Sequence, residues 1–224
     1  MNKHILPIIA SSLFLISGFA VAEAHAQSTS SPSSTLYSNA AEAGLNAHVL
    51  GEALNGYHWA KSHGDVHNSN ILTVVDYTKP STDKRLWVLN LNTNKVLMHA
   101  LVAHGHNSGL VYANHFSNQN NSHETSLGVF TTGSSPFYGH DGHALKVHGL
   151  ESGINSNAYA RAIEIHGAQY VSNYDIKTYG RIGRTYGCFG VSPGKINKLI
   201  DYTKGGSVLF AYAPAENNDP IAMG

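Results

Sequence analysis

The sequence predicts a mainly β domain, an antiparallel sandwich or barrel-like sheet with a few peripheral helices and an N-terminal helical segment. Three observations lead there. Short apolar runs bounded by Asn, Gly, Ser and Pro recur between residues 70 and 212, with no long helical pattern separating them. Two of those runs flank Asn92-Thr93-Asn94, a hairpin signal because asparagine tolerates positive φ. Apolar spacing of three and four residues is confined to two places, residues 36–61 and the stretch after Ser192.

In chain order, the first residues read as an address. Lys3 and His4 precede an apolar run at 5–21, and small-x-small triplets follow, the best being Ala24-His25-Ala26 before Gln27. This layout predicts a cleavable secretory signal over 1–26, its apolar run short of the roughly 20 residues that span a bilayer comfortably. No cysteine follows it, so a lipid-modified N-terminus is excluded, and no later segment is apolar enough to span. Residues 27–35 are polar and low in complexity, and predict a flexible linker. Over 36–69 a helical segment is expected, with Val49, Leu50, Ala53, Leu54, Tyr57 and Ala60 on one face and His63-Gly64 as the stop. Strands are expected at 71–77, 85–91, 95–102, 127–131, 144–148, 162–166 and 207–212. Two short helices are expected at 157–161 and 192–203. The second has Ser192 as N-cap, Pro193 in the first helical position and Gly205-Gly206 as the stop. The main domain so defined is 70–214, followed by a tail at 215–224.

Charge excludes one class of partner. Lys and Arg number 14 and so do Asp and Glu, which leaves no basic face of the kind nucleic acid requires. The single cysteine, Cys188, cannot form an internal disulfide. It is a buried small hydrophobe, an intermolecular bridge or a reactive thiol. Its neighbourhood favours the last: Gly180, Gly183, Gly187 and Gly190 let backbone approach a ligand, and Arg181 and Arg184 are cations that would stabilise a thiolate. A cysteine nucleophile needs a base and donors for an oxyanion. His166, ending the run Ala162-Ile163-Glu164-Ile165 and followed by Gly167, is the candidate base, against the plain alternative of a structural histidine. The backbone N–H groups of Tyr186, Gly187 and Cys188 are the candidate oxyanion donors. The chain has 15 histidines, and His104, His106, His115, His123, His140, His143 and His148 crowd its middle. That raises a zinc peptidase as an alternative, but no His-Glu-x-x-His occurs, and the expectation is no metal and no cofactor. A non-catalytic binding module with an ordinary thiol is the third reading.

His166-Gly167 followed by Thr185-Tyr186-Gly187-Cys188 resembles the L,D-transpeptidase family with its YkuD-type catalytic domain, whose signature is His-Gly and then Ser/Thr-x-Gly-Cys. The resemblance extends through Ser126-Leu127-Gly128-Val129-Phe130-Thr131-Thr132-Gly133, through Leu150-Glu151-Ser152-Gly153-Ile154-Asn155, and through Arg161 to Ala168. These resemble the murein L,D-transpeptidase catalytic domain branch, over roughly residues 70–212. The resemblance implies a peptidoglycan stem tetrapeptide as acyl donor, Cys188 as nucleophile, His166 as base, and an exported protein of the periplasm or cell envelope. It implies 3–3 crosslinking or attachment of a wall-bound protein, hydrolysis by an L,D-carboxypeptidase as the alternative, and acylation by carbapenems. Two departures bear on substrate. Gly190 stands where many members carry Arg or Asn, and Tyr186 stands where the commoner pattern has His. Contact with substrate is therefore expected from Arg184, Arg181, Thr185 and His148.

Overall fold

The computed structural model describes residues 33–215 together with Met1. The expected secretory signal, most of the expected linker and nearly all of the C-terminal tail lie outside the described residues. Among the described residues no helix is long and apolar enough to cross a membrane.

The helical spacing near the start is realised as two helices, α1 (Ser34–Glu42) and α2 (Ala47–Ser62). Each is capped by a side chain: Ser33 accepts from the Leu36 N–H and Asn46 from the His48 N–H. Nine strands follow: β1 (Ile71–Asp76), β2 (Leu86–Asn90), β3 (Lys95–Ala100), β4 (Gly128–Thr132), β5 (Phe137–Gly139), β6 (Gly142–Gly149), β7 (Glu164–Gly167), β8 (Phe189–Val191) and β9 (Val208–Tyr212). They form one sheet in the order β3-β2-β1-β9-β4-β6-β7-β8, with β5 hydrogen-bonded to β6. Pairing is antiparallel except at two places, β1 with β9 and β7 with β8. The sheet is therefore mixed, and the second parallel pair carries the candidate site.

Both faces of the sheet centre are covered, which is why its strands read as continuous apolar runs. Along β1, Leu72 and Val74 pack with α1 and α2 residues such as Leu50, Leu54 and Tyr57, whereas Ile71 and Val75 face the other core. That second core holds Phe130, Leu145, Ile165 and Phe189 under α4 (Pro193–Thr203), which contributes Ile196, Leu199 and Ile200. Burying each such large side chain stabilises the fold by roughly 1.5–3 kcal/mol. The β2–β3 turn forms as its asparagines suggest. Asn90 Oδ1 accepts from the N–H groups of Asn92 and Thr93, and Asn94 takes φ 57°.

The helix expected at 157–161 is absent; hydrogen-bonded turns occupy the region. Buried side chains decide this. Asn155 Nδ2 donates to the carbonyls of Leu127 and Val129, its Oδ1 accepts from the Glu151 N–H, and Glu151 Oε1 accepts from the Val129 N–H. These bonds tie the segment to β4 and override local helical preference. A further helix, α3 (Asn173–Tyr179), stands where none was expected. It is capped by Ser172, which accepts from the Asp175 N–H.

Candidate active site

The residues singled out in the sequence meet at the β7–β8 pair. In its parallel register Ile165 lies opposite Phe189, His166 opposite Gly190 and Gly167 opposite Val191. Ile165 and Phe189 are fully buried in the core beneath. Because successive side chains alternate faces, His166 and Glu164 share the other face of the sheet with Cys188 and Gly190. Cys188 precedes β8 by one residue, and carrying the register back one step sets it beside Glu164, two residues, or about 6.6 Å of strand, from His166. The sulfur lies against the start of β7. Cys188 Sγ donates to the Ala162 carbonyl at 3.7 Å, and the backbone of Glu164 hydrogen-bonds the sulfur.

Cys188 is half-buried, and its surroundings favour the thiol over the thiolate. Burial pushes the Cys188 pKa up to about 12, and the carboxylates of Glu164 and Asp141 add to the rise. The Glu164 backbone hydrogen bond and Lys146, which pairs with Glu164 Oε2 at 3.3 Å, oppose it. The expectation that Arg181 and Arg184 stabilise a thiolate is corrected here. Arg184 Nη1 donates to the carbonyls of His106 and Gly109, and Arg181 Nη1 to that of Ile182. Both guanidiniums donate to backbone, and neither is among the charges acting on the sulfur.

His166, the candidate base, sits in the middle of β7. It is 3% exposed, and its Nδ1 lies 3.0 Å from the Gly167 carbonyl. A carbonyl only accepts, so Nδ1 carries the hydrogen and Nε2 presents a lone pair. The Gly167 carbonyl is thus in a position to orient the ring, as a carboxylate does in many triads. A cavity of about 400 Å³ opens on this side, walled by His166, Gly167, Asp141, Tyr170 and Ile196.

The turn before Cys188 is built around Thr185 and Gly187. Thr185 Oγ1 donates to the Cys188 carbonyl at 2.8 Å and accepts from the Gly187 N–H at 3.1 Å. Of the three expected oxyanion donors, the Gly187 N–H is therefore already engaged; those of Tyr186 and Cys188 remain as candidates. Gly187 has φ 118°, and a Cβ there would lie 2.8 Å from the Glu124 carbonyl oxygen and from Ile163 Cδ1. Only glycine meets both conditions. Gly190 is confined differently: a Cβ would meet Thr185 Cγ2 at 3.0 Å. Thr185, 6% exposed, fills the space beside it and acts through the turn. His148 stands on β6 with its ring stacked on Tyr159, centroids 4.7 Å apart.

Two groups escaped sequence reasoning. Arg161 donates from Nη1 to the Ser117 carbonyl and Ser126 Oγ, and from Nη2 to the Glu124 carbonyl and Ser122 Oγ. It brackets the 117–126 loop, lies 3.1 Å from where a Gly187 Cβ would be, and is electrostatically coupled to Cys188. Arg85 and His104 support the same turn from behind. Fully buried Arg85 donates to the Val102 carbonyl and, from Nη2, to His104 Nδ1 at 2.7 Å; His104 Nε2–H then donates to the Gly109 carbonyl. The segment they fix pairs with the turn before Cys188 and with β8 through Ala103 N–H to the Gly190 carbonyl, Thr185 N–H to that of His104 and His106 N–H to that of Thr185. No spacing rule links Arg85 to Cys188, which is why it was missed. Among the described residues no three His, Cys, Asp or Glu side chains gather as a metal-binding group.

The sequence profile of the L,D-transpeptidase catalytic domain family matches residues 41–212, and the chain belongs to that family. Solved structures with some likeness include an L,D-transpeptidase from Mycobacterium smegmatis, 16% identical with a TM-score of 0.39, over 64% of this chain and 59% of that one. One from Stackebrandtia nassauensis is 14% identical with a TM-score of 0.38, over 80% and 76%. One from Xylanimonas cellulosilytica is 14% identical with a TM-score of 0.37, over 64% and 60%. The chain spans about three fifths of the length of the first of these. No curated protein matches the chain.

Proposed function

We propose that the chain is an exported peptidoglycan L,D-transpeptidase of the cell envelope, with Cys188 as nucleophile and His166 as general base. The observation that carries the reading is the shared face of β7 and β8. It supports the reading because the register carried back one step puts the half-buried Cys188 two residues along from His166, whose Nδ1 faces the Gly167 carbonyl and so leaves Nε2 toward the open side. The acyl donor is a stem tetrapeptide. Nε2 takes the Sγ proton as sulfur attacks the carbonyl of the third residue, and the N–H groups of Tyr186 and Cys188 receive the oxyanion. As the C–N bond breaks, the imidazolium returns its proton to the nitrogen of the departing D-Ala, leaving a thioester on Cys188. An amine on a neighbouring stem or on a wall-attached protein then attacks the thioester, loses its proton to His166 and releases the thiol. Water in place of the amine gives an L,D-carboxypeptidase, and product masses separate the two.

Muropeptides incubated with wild-type protein are expected to gain 3–3 crosslinks by mass spectrometry, and Cys188→Ala to form none. Crosslinks made by the variant refute the assignment. A carbapenem is expected to add its mass to Cys188.

A further inference from the structure

A second cavity, of about 390 Å³, opens beside the turn that leads to Cys188, walled by Asn120, Asn121, His123, Arg161, Tyr186 and Ala162, whose carbonyl touches Cys188 Sγ. We propose that this cavity is a saccharide subsite that seats a neutral sugar ring of the peptidoglycan glycan strand while the attached stem reaches Cys188; this rests on the acyl-transfer reading above.

Its volume falls within the range of about 300–1,000 Å³ typical of small-ligand sites. Its backbone is held in an unfavourable shape. Four non-glycine residues among those described have positive φ, and three of them wall this cavity: Asn121 at 60°, His123 at 56° and Ala162 at 55°. Ala162 has no polar side chain to offset that cost, and its carbonyl is the one touched by Cys188 Sγ. Such strain persists where the surroundings over-determine it, and it collects at binding sites. Arg161 supplies the over-determination by bracketing the 117–126 loop.

The lining selects the ligand class. Tyr186 is 69% exposed, and one face of its ring is backed by His123 at 4.2 Å and 26°. The other face is a platform for the C–H face of a sugar. Asn120 and Asn121 bring amides that both donate and accept, as hydroxyl and acetamido groups require. A carboxylate is poorly served, because both Nη atoms of Arg161 already donate to protein oxygens. The remaining lining side chains include no Asp, Glu or Lys.

The test uses the full chain carrying Cys188→Ala and two probes, a peptide-free tetrasaccharide of wall glycan and a glycan-free stem tetrapeptide. The tetrasaccharide is expected to bind and to shift the side-chain amide NMR signals of Asn120 and Asn121. Tyr186→Ala is expected to weaken it about tenfold, the worth of one aromatic contact, and Tyr186→Phe to retain it. No tetrasaccharide binding, equal binding by Tyr186→Ala, or shifts of those amides by the tetrapeptide alone each overturn the inference. Tetrapeptide turnover by the wild-type enzyme reads the parent assignment separately. Turnover without saccharide binding removes only the subsite, and saccharide binding without turnover removes only the acyl-transfer reading.

Discussion

Gly187→Ala perturbs the candidate active site through backbone alone. An alanine at φ 118° is expected to cost about 1–2 kcal/mol for the conformation itself. Its methyl would also stand 2.8 Å from the Glu124 carbonyl oxygen and Ile163 Cδ1, and 3.1 Å from Arg161 Nη2. Relieving contacts of that kind in a packed site adds about 1–3 kcal/mol. The sum, roughly 2–5 kcal/mol, lowers the melting temperature by about 5–15 °C for a domain of this size. The cheapest relief moves the 185–187 turn, and a displacement near 1 Å at reacting groups costs about a hundredfold in rate. Thermal melts and thioester formation with a stem peptide, followed by mass spectrometry, measure the two effects. Gly190→Ala serves as the comparator: its φ is unstrained and its closest contact is a methyl at 3.0 Å, so the smaller loss is expected there. A Gly187→Ala protein that melts within 2 °C of wild type and acylates within about twofold of it refutes the account of the turn.

The half-buried thiol is expected to alkylate slowly at pH 7 and faster as pH rises toward its pKa of about 12. Because folding raises that pKa from 9.0, stability is full below pH 9 and declines as pH rises toward 12; Cys188→Ala should flatten the decline in urea melts. His104 is the opposite case. Burial, with Arg85 beside it, lowers its pKa from 6.5 to about 4, so stability is present above pH 6.5 and is lost as pH falls through 4, by roughly 3 kcal/mol in full. His104→Asn keeps an acceptor for Arg85 and removes the titration, and its acid melts should lack that loss; an unchanged acid profile counts against the pair.

The strands were legible because their apolar runs are long and their faces both buried, as at 71–76 and 208–212. Ser192-Pro193 likewise announced α4 by local chemistry. Strand β8 was not legible. Phe189-Gly190-Val191 is a strand only because β7 lies beside it, and a glycine-centred tripeptide carries no such signal on its own. The turn region at 150–162 misled for a related reason, since Asn155 and Glu151 bond to strand β4 rather than to their own neighbours. The candidate nucleophile and base could be named from the sequence, but the electrostatics around them could not. Proximity in sequence suggested Arg181 and Arg184 as the cations at the thiol, whereas Arg161 reaches the site from another segment.

The enclosure of Cys188 has a consequence for the protein's working life. Oxidants and disulfides attack thiolates far faster than thiols, and disulfide chemistry prevails outside the cytosol. On the proposed mechanism, a sulfur that stays a thiol until an imidazole deprotonates it at the moment of attack is spared most of that damage. In an envelope enzyme of the proposed kind, the partial burial that withholds nucleophilicity from stray reagents would help keep the lone cysteine reduced, without a resolving partner to restore it.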